Sequence, residues 1–217
     1  MVLDGSFPTV ASPNPENPEG FYLAIDLANQ VGADFILGTD PDSDRVGIMV
    51  RSHDGSFIPV TGNQTGVLML DYLIGAMRRA GKLPEHPYFL KTIVTTELIR
   101  AICEKYGVKV YNVLTGFKYI ADVVRNNEGK GEFVCGGEES YGFNVGEYVR
   151  DKDAPISCAM VAECAAWAAD QGKTLYQLLQ DIYKEFGYYR EALVSLVREG
   201  KAGAEEIAAI MADMRNN

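Results

Sequence analysis

The chain has 217 residues, 47% of them hydrophobic, and a formal charge of −10 at pH 7. That is enough apolar material for a real core, and it excludes a disordered chain. The acidic balance argues against nucleic acid, whose phosphates need basic surfaces. No apolar run reaches the ~18 residues of a membrane span and no basic-then-apolar leader opens the chain, so no membrane partner is expected.

In chain order, Asp4-Gly5-Ser6-Phe7-Pro8 reads as the middle of a domain, and four prolines from Pro8 to Pro18 predict an irregular, extended connector. Ala11-Ser12-Pro13-Asn14-Pro15 invites comparison with the Ser-His-Asn-Pro loop of phosphoserine enzymes. Pro13 stands where the His would be, so Ser12 is not taken as a nucleophile. Leu23, Ala24, Leu27, Ala28 and Val31 recur with the spacing of one helical face, and Gly32 ends that helix.

Two apolar runs, Phe35-Ile36-Leu37 and Val46-Gly47-Ile48-Met49-Val50, predict strands on either side of Asp40-Pro41-Asp42-Ser43-Asp44-Arg45. In an extended loop every second side chain points the same way, so Asp40, Asp42 and Asp44 are expected to converge. Like charges gather around a cation, and three carboxylates with coordination positions to spare suit Mg²⁺ that also binds a phosphate. Arg45 is placed to hold such a phosphate by forked hydrogen bonds. A solvated acidic turn is the plain alternative. A calcium loop needs Gly and Glu where Arg45 and Arg51 stand. A phosphatase of the haloacid dehalogenase type, with an Asp nucleophile after a strand, stays open at this point.

His53-Asp54-Gly55-Ser56 predicts a turn close to a domain boundary. Beyond it helix and strand alternate: a helix capped by Thr61 and running to about Arg79, a strand Tyr88–Val94, a helix Glu97–Lys105 and a strand Val108–Val113. A helix Lys118–Asn126, a strand Glu132–Cys135 and helices Ile156–Ala169 and Leu175–Phe186 complete the pattern. A strand-like run Ala192–Val197 and a helix Glu205–Met214 follow. The fold class is α/β, a mostly parallel sheet flanked by helices, preceded by part of a second α/β domain. The divisions are 1–55, 56–187 and 188–217. Trp167 is read as packing. His53 and His86 lie in turns and are not taken as ligands. Cys103, Cys135, Cys158 and Cys164 form no C-x-x-C pair and read as reduced core thiols of a cytoplasmic protein.

Ligands of such sheets bind beyond the carboxyl ends of the strands. The candidate loops there are Thr95-Thr96, Leu114-Thr115-Gly116-Phe117-Lys118 and Gly136-Gly137-Glu138-Glu139-Ser140-Tyr141-Gly142. Gly116 at a helix start is expected to present backbone N–H groups to an anion, with Lys118 adding charge. Glu138 and Ser140 can read adjacent sugar hydroxyls, while Glu139 points to water.

The order of the metal loop, Thr115-Gly116-Phe117-Lys118, Gly137-Glu138-Glu139-Ser140-Tyr141-Gly142 and Arg150-Asp151-Lys152-Asp153 resembles the phosphohexomutase superfamily, the phosphoglucomutases and phosphomannomutases. The resemblance reduces the Mg²⁺-dependent phosphatase of the haloacid dehalogenase type to a minor alternative. It implies a four-domain parent of which this chain is the end of domain 2, all of domain 3 and a linker toward domain 4, inactive alone because the phosphoserine loop and main phosphate loop lie outside it. It further implies Asp40, Asp42 and Asp44 as Mg²⁺ ligands, with Arg45 beside the phosphoserine. Glu138 and Ser140 would meet sugar hydroxyls, and Thr115, Gly116, Lys118 and Arg150 would serve the substrate. Lys152 is the implied acid/base, since Tyr141-Gly142 stand where some mannomutase-like members carry His. Ala154 replaces the family's usual Gly. The implied reaction interconverts glucose 1-phosphate and glucose 6-phosphate through glucose 1,6-bisphosphate. Phosphomannomutase and phosphopentomutase are the alternatives.

Overall fold

A computed structural model of the chain describes residues 4–194 and 196–216. A 3-10 turn Pro18–Phe21 leads into α1 (Tyr22–Val31), and three strands follow, β1 (Phe35–Thr39), β2 (Val46–Arg51) and β3 (Phe57–Val60). They form an antiparallel sheet in the order β1-β2-β3, with Leu37 opposite Ile48 and Val50 opposite Ile58. The turn near residue 55 lies inside this sheet, between β2 and β3, so strand pairing crosses the expected boundary.

The second sheet has the order β5-β4-β6-β7, built from β4 (Pro87–Thr92), β5 (Lys109–Val113), β6 (Glu132–Gly137) and β7 (Phe143–Val145). β4 runs parallel to β5 and β6, and β7 returns antiparallel along β6. The mostly parallel α/β sheet flanked by helices is therefore present. Its helices are α2 (Gly62–Arg79), α3 (Leu98–Tyr106), α4 (Phe117–Asn126), α5 (Ala154–Asp170) and α6 (Leu175–Phe186), with α7 (Gly200–Asn216) beyond them.

Local chemistry sets these boundaries. Thr61 and Gln64 cap α2 reciprocally, and Thr174 and Gln177 do the same for α6. Asp153 accepts from Ile156 N at 2.9 Å to start α5. Gly32 and Gly107 close α1 and α3 in the left-handed conformation that glycine adopts without strain.

One core joins the two sheets. Val46, Ile48, Val50 and Val60 from the first are buried in the same cluster as Ile74 of α2, Ile102 of α3, Val161 of α5 and Ile182 of α6. A smaller cluster of Tyr88, Leu90, Phe117, Ile120, Val124 and Phe133 fills the space under α4. Trp167 packs against Tyr72 at 5.6 Å between ring centroids. All four cysteines are free, and burial pushes the Cys103 and Cys164 thiols up to about 12. Among the described residues no helix is long and apolar enough to cross a membrane.

Three expectations change. The helix α1 packs through Phe21, Ala24, Ile25 and Ala28, whereas Leu23, Leu27 and Val31 lie on its exposed face. β4 ends at Thr92, and Ile93 and Val94 turn out to solvent because the chain bends at 92–95. The run Ala192–Val197 includes Ser195, which lies outside the described residues, and its other members are not in a strand.

Candidate functional site

The acidic segment is a turn, not an extended loop. Ser43 N donates to Asp40 O at 3.1 Å, and Ser43 takes a left-handed backbone with φ 57°. Asp40 Oδ1 accepts from the N–H groups of Asp44 at 3.1 Å and Arg45 at 3.0 Å. The convergence expected from alternation is achieved by this folding. One carboxylate oxygen from each of Asp40, Asp42 and Asp44 lies within 4.8 Å of the others. Burial, together with the charges of Asp44 and Asp42, raises the Asp40 pKa, although the backbone bond from Arg45 opposes it. Burial works against the Asp44 charge too, but the bonds from Lys152 and Asp40 outweigh it and hold this carboxyl below the usual range. An all-oxygen, incompletely neutralised set of this kind fits a hard divalent cation.

Two cations flank the turn. Arg45 donates to Glu16 Oε1 at 2.7 Å, and its Nε lies 3.8 Å from Asp40 and 3.7 Å from Asp44. Lys152 is ion-paired with Asp44. Burial lowers the Lys152 pKa, yet the Asp44 carboxylate more than offsets this and the net shift is upward.

Backbone bonds join the turn and the start of β2 to the loop after β6 and to the first residue of α5. Val46 N donates to Tyr141 O at 3.1 Å, and Ala154 N to Ser43 O at 3.0 Å. A Cβ on Gly142 would lie 2.4 Å from Lys152 Cδ, so glycine is what lets the lysine stem pass there. Within the loop Glu138 is buried; its N–H donates to Gly142 O at 2.9 Å and its Oε1 accepts from Gly116 N at 2.8 Å. Ser140 sits half-buried between the bonded neighbours Glu139 and Tyr141.

Asp40, Asp42, Asp44, Arg45 and Lys152 are thus brought together, and Glu138 and Gly116 are bonded to each other. The Gly116 N–H expected to face an anion is occupied by that carboxylate. Thr115 is exposed beside it, and Lys118 is the second residue of α4, with its ammonium 5.0 Å from the Tyr119 ring. Arg150 is not with the others. Asn144 Nδ2 binds Val149 O and holds the loop after β7, so Arg150 pairs with Glu128, just before the start of β6 and at the opposite end of that strand from Glu138.

Glu139 does not point to water. Its Oε2 accepts from Thr92 at 3.0 Å and from Thr95 at 2.9 Å. Lys91 and Glu16 were not singled out from the sequence. A lysine inside the apolar run Tyr88-Phe89-Leu90 is itself a signal, because lysine is buried only where paired. A cavity of about 290 Å³ opens between the N-terminal segment and β1, lined by Val10, Phe21, Ile36 and, at its polar end, Asp40. Glu138, Ser140 and Lys152 do not line it.

A family model described as phosphoglucomutase/phosphomannomutase, alpha/beta/alpha domain III matches residues 61–186, and its domain II counterpart matches residues 2–55. The phosphoglucomutase of Staphylococcus haemolyticus (strain JCSC1435) is 36% identical over 215 residues, 99% of this chain and 38% of the relative. That of Staphylococcus epidermidis (strain ATCC 12228 / FDA PCI 1200) is 38% identical over 213 residues, 98% of this chain and again 38% of the relative. The chain therefore spans well under half the length of these curated relatives. Among solved structures, a phosphoglucomutase/phosphomannomutase family protein from Burkholderia thailandensis gives a TM-score of 0.63 at 20% identity, covering 83% of this chain and 35% of that one. The phosphoprotein pp63/parafusin from Paramecium, in its open form, gives 0.58 at 19%, covering 80% and 30%. Both structural likenesses show the fold.

Proposed function

The chain belongs to the phosphoglucomutase/phosphomannomutase family of phosphohexomutases, and from that premise we propose that it carries the metal-binding and sugar-binding loops of a phosphoglucomutase. The observation that carries this reading is the direct joining of the three-carboxylate turn to the Glu138–Ser140 loop through Val46 N and Tyr141 O. Residues 1–55 then supply the metal turn, and residues 56–187 the sugar loop. The glucose preference is supported by relatives of that name at 36% and 38% identity, with mannose and pentose phosphates as the comparison ligands.

Asp40, Asp42 and Asp44 would hold Mg²⁺, which when bound supplies neutralisation of charge on a transferring phosphoryl group. Arg45 exchanges Glu16 for a phosphate oxygen, a replacement its forked donors permit. Glu138 and Ser140 receive sugar hydroxyls, and orientation of this kind is most of what phosphoryl transfer asks of a protein. Lys152 keeps its proton while Asp44 is beside it and is the candidate to pass one to a sugar oxygen. The complete interconversion through a phosphoserine and a bisphosphate is proposed for the longer family members. Residues 1–217 by themselves are expected to bind glucose 1-phosphate or glucose 6-phosphate without turnover.

Calorimetry of the chain with glucose 1-phosphate, with and without Mn²⁺, tests the reading. Saturable binding weakened by Glu138→Gln is expected. Absence of any saturable binding overturns it.

A further inference from the structure

One buried polar cluster has no part in the mechanism above. Lys91 is the last residue but one of β4, with 0% exposure. Its ammonium meets three oxygens, Thr95 O at 2.8 Å, Thr92 O at 3.3 Å and Glu97 Oε1 at 2.8 Å. An ammonium has three hydrogens, so none is left for a ligand. What Lys91 holds is the turn after β4.

The side chains of that turn reach across to the next loop. The Thr92 and Thr95 hydroxyls are 2.7 Å apart, and both contact Glu139 Oε2, so the Glu139 carboxylate is the acceptor of a compact cluster. Its backbone is gripped as well: a Cβ on Gly62, at the start of α2, would lie 1.9 Å from Glu139 O. Gly136 and Gly137 end β6 paired on both sides, so the loop proper is the short span from Glu138 to Gly142. Glu138, whose N–H donates to Gly142 O and whose carboxylate accepts from Gly116 N, is thus held in line also by what grips its neighbour.

We infer that Glu139, held by Thr92 and Thr95 on a turn pinned by Lys91, is a positioning residue that directs Glu138 and Ser140 and so sets preference for a sugar phosphate over bare phosphate. Glu139 itself touches no sugar. The inference rests on the reading that Glu138 and Ser140 meet sugar hydroxyls.

The test uses the whole chain, the double variant Thr92→Val with Thr95→Val, Glu139→Leu and the conservative Glu139→Gln. Amide hydrogen exchange at Gly116 and Glu138, read without ligand, should quicken about tenfold in the first two. Affinity for glucose 1-phosphate should fall about tenfold, with Mn²⁺ and inorganic phosphate binding unchanged, as pre-organisation predicts. Glu139→Gln keeps one acceptor oxygen and should recover most of the loss. Unchanged exchange overturns the pin whatever the ligands do, and parallel loss of Mn²⁺, phosphate and sugar phosphate overturns it as general unfolding. A parent chain that binds no glucose 1-phosphate sinks the functional reading and the sugar preference with it, while quickened exchange in the same variants would still support the pin.

Discussion

Lys152 is ion-paired with Asp44, so the segment leading into α5 is clamped onto the acidic turn and one of the three clustered carboxylates already has a cation. A metal ion must compete with that ammonium. Two bare carboxylates about 5 Å apart repel by on the order of 3 kcal/mol at an effective dielectric of about 20, before solvent screening, which is the term a divalent ion relieves. We expect Mn²⁺ or Mg²⁺ to bind in the millimolar range, about 4 kcal/mol. Binding should be lost in Asp42→Asn, little changed in Glu139→Gln and tighter by roughly three- to tenfold in Lys152→Met, where the competitor is gone. A Mn²⁺ relaxation titration of the four proteins decides; equal binding by the parent and Asp42→Asn would make the acidic segment an ordinary solvated turn.

Two glycines beside the same loop should respond differently to alanine. At Gly142 the new methyl meets the stem of Lys152 at 2.4 Å, the flexible part of a long side chain, which can swing aside. Stability should change by less than about 1 kcal/mol, while loosening of the Lys152–Asp44 pair raises Mn²⁺ affinity. At Gly62 the methyl meets a backbone oxygen at 1.9 Å, and either α2 or the loop must move. A loss of about 2 kcal/mol or more in urea unfolding is expected for Gly62→Ala. Comparable losses at the two sites would mean that the loop is not seated against α2.

The acidic turn could be read in advance because its chemistry is contiguous: Asp40, Asp42 and Asp44 need no distant partner to be conspicuous. The helices could be read where caps and periodicity agree, as at Thr61 with Gln64. What escaped depends on long-range contacts. Apolar spacing in α1 marked Leu23, Ala24, Leu27, Ala28 and Val31 as one face, but only Ala24 and Ala28 of these turn inward, with Phe21 and Ile25 in place of the rest, a choice made by where the first sheet lies. The strand Phe57–Val60 contains Pro59 and lies at a sheet edge, where proline is tolerated but dilutes the strand signal. Glu139 looked like a solvent-facing neighbour of Glu138 until the fold set Thr92 and Thr95 opposite it. Arg150 belongs by order to the Lys152 motif, yet β7 carries it to the far end of the sheet before the chain comes back.

Asp71 gives a pH signature remote from the site. Burial raises its pKa, partly offset by the hydroxyl of Tyr106, which donates to it at 3.3 Å. A carboxyl with a raised folded-state pKa favours folding most below its unfolded value, and that contribution is lost as pH rises through the folded pKa. At pH 7 the buried charge is therefore a cost. Asp71→Asn keeps the acceptor for Tyr106 and should raise the melting temperature at pH 7, with the gain shrinking as pH falls into the ordinary carboxylate range. Thermal unfolding from pH 3 to 7 checks it; a gain that grows toward low pH contradicts the assignment.

The last prediction concerns the asymmetry of the Lys91–Glu97 pair. The ammonium is wholly buried, while the Glu97 side chain is 52% exposed and also accepts from Arg100 at 2.7 Å. Removing the lysine as Lys91→Met preserves volume and takes the charge out of the interior. Thr92 O retains the Thr95 N–H at 3.1 Å, so the principal loss is the donor to Thr95 O, about 1 kcal/mol. Removing the acid as Glu97→Ala leaves a buried ammonium with two carbonyls and no counter-charge, and breaking a buried pair from one side costs about 3 kcal/mol, less what water recovers at the exposed end. Glu97→Ala should therefore be the more destabilising substitution in urea unfolding. Adding Lys91→Met to it should restore part of the loss, because the stranded charge is then gone. The reverse order, with Lys91→Met the worse of the two, would show that the carbonyl bonds of the ammonium outweigh its ion pair and that Glu97 contributes little.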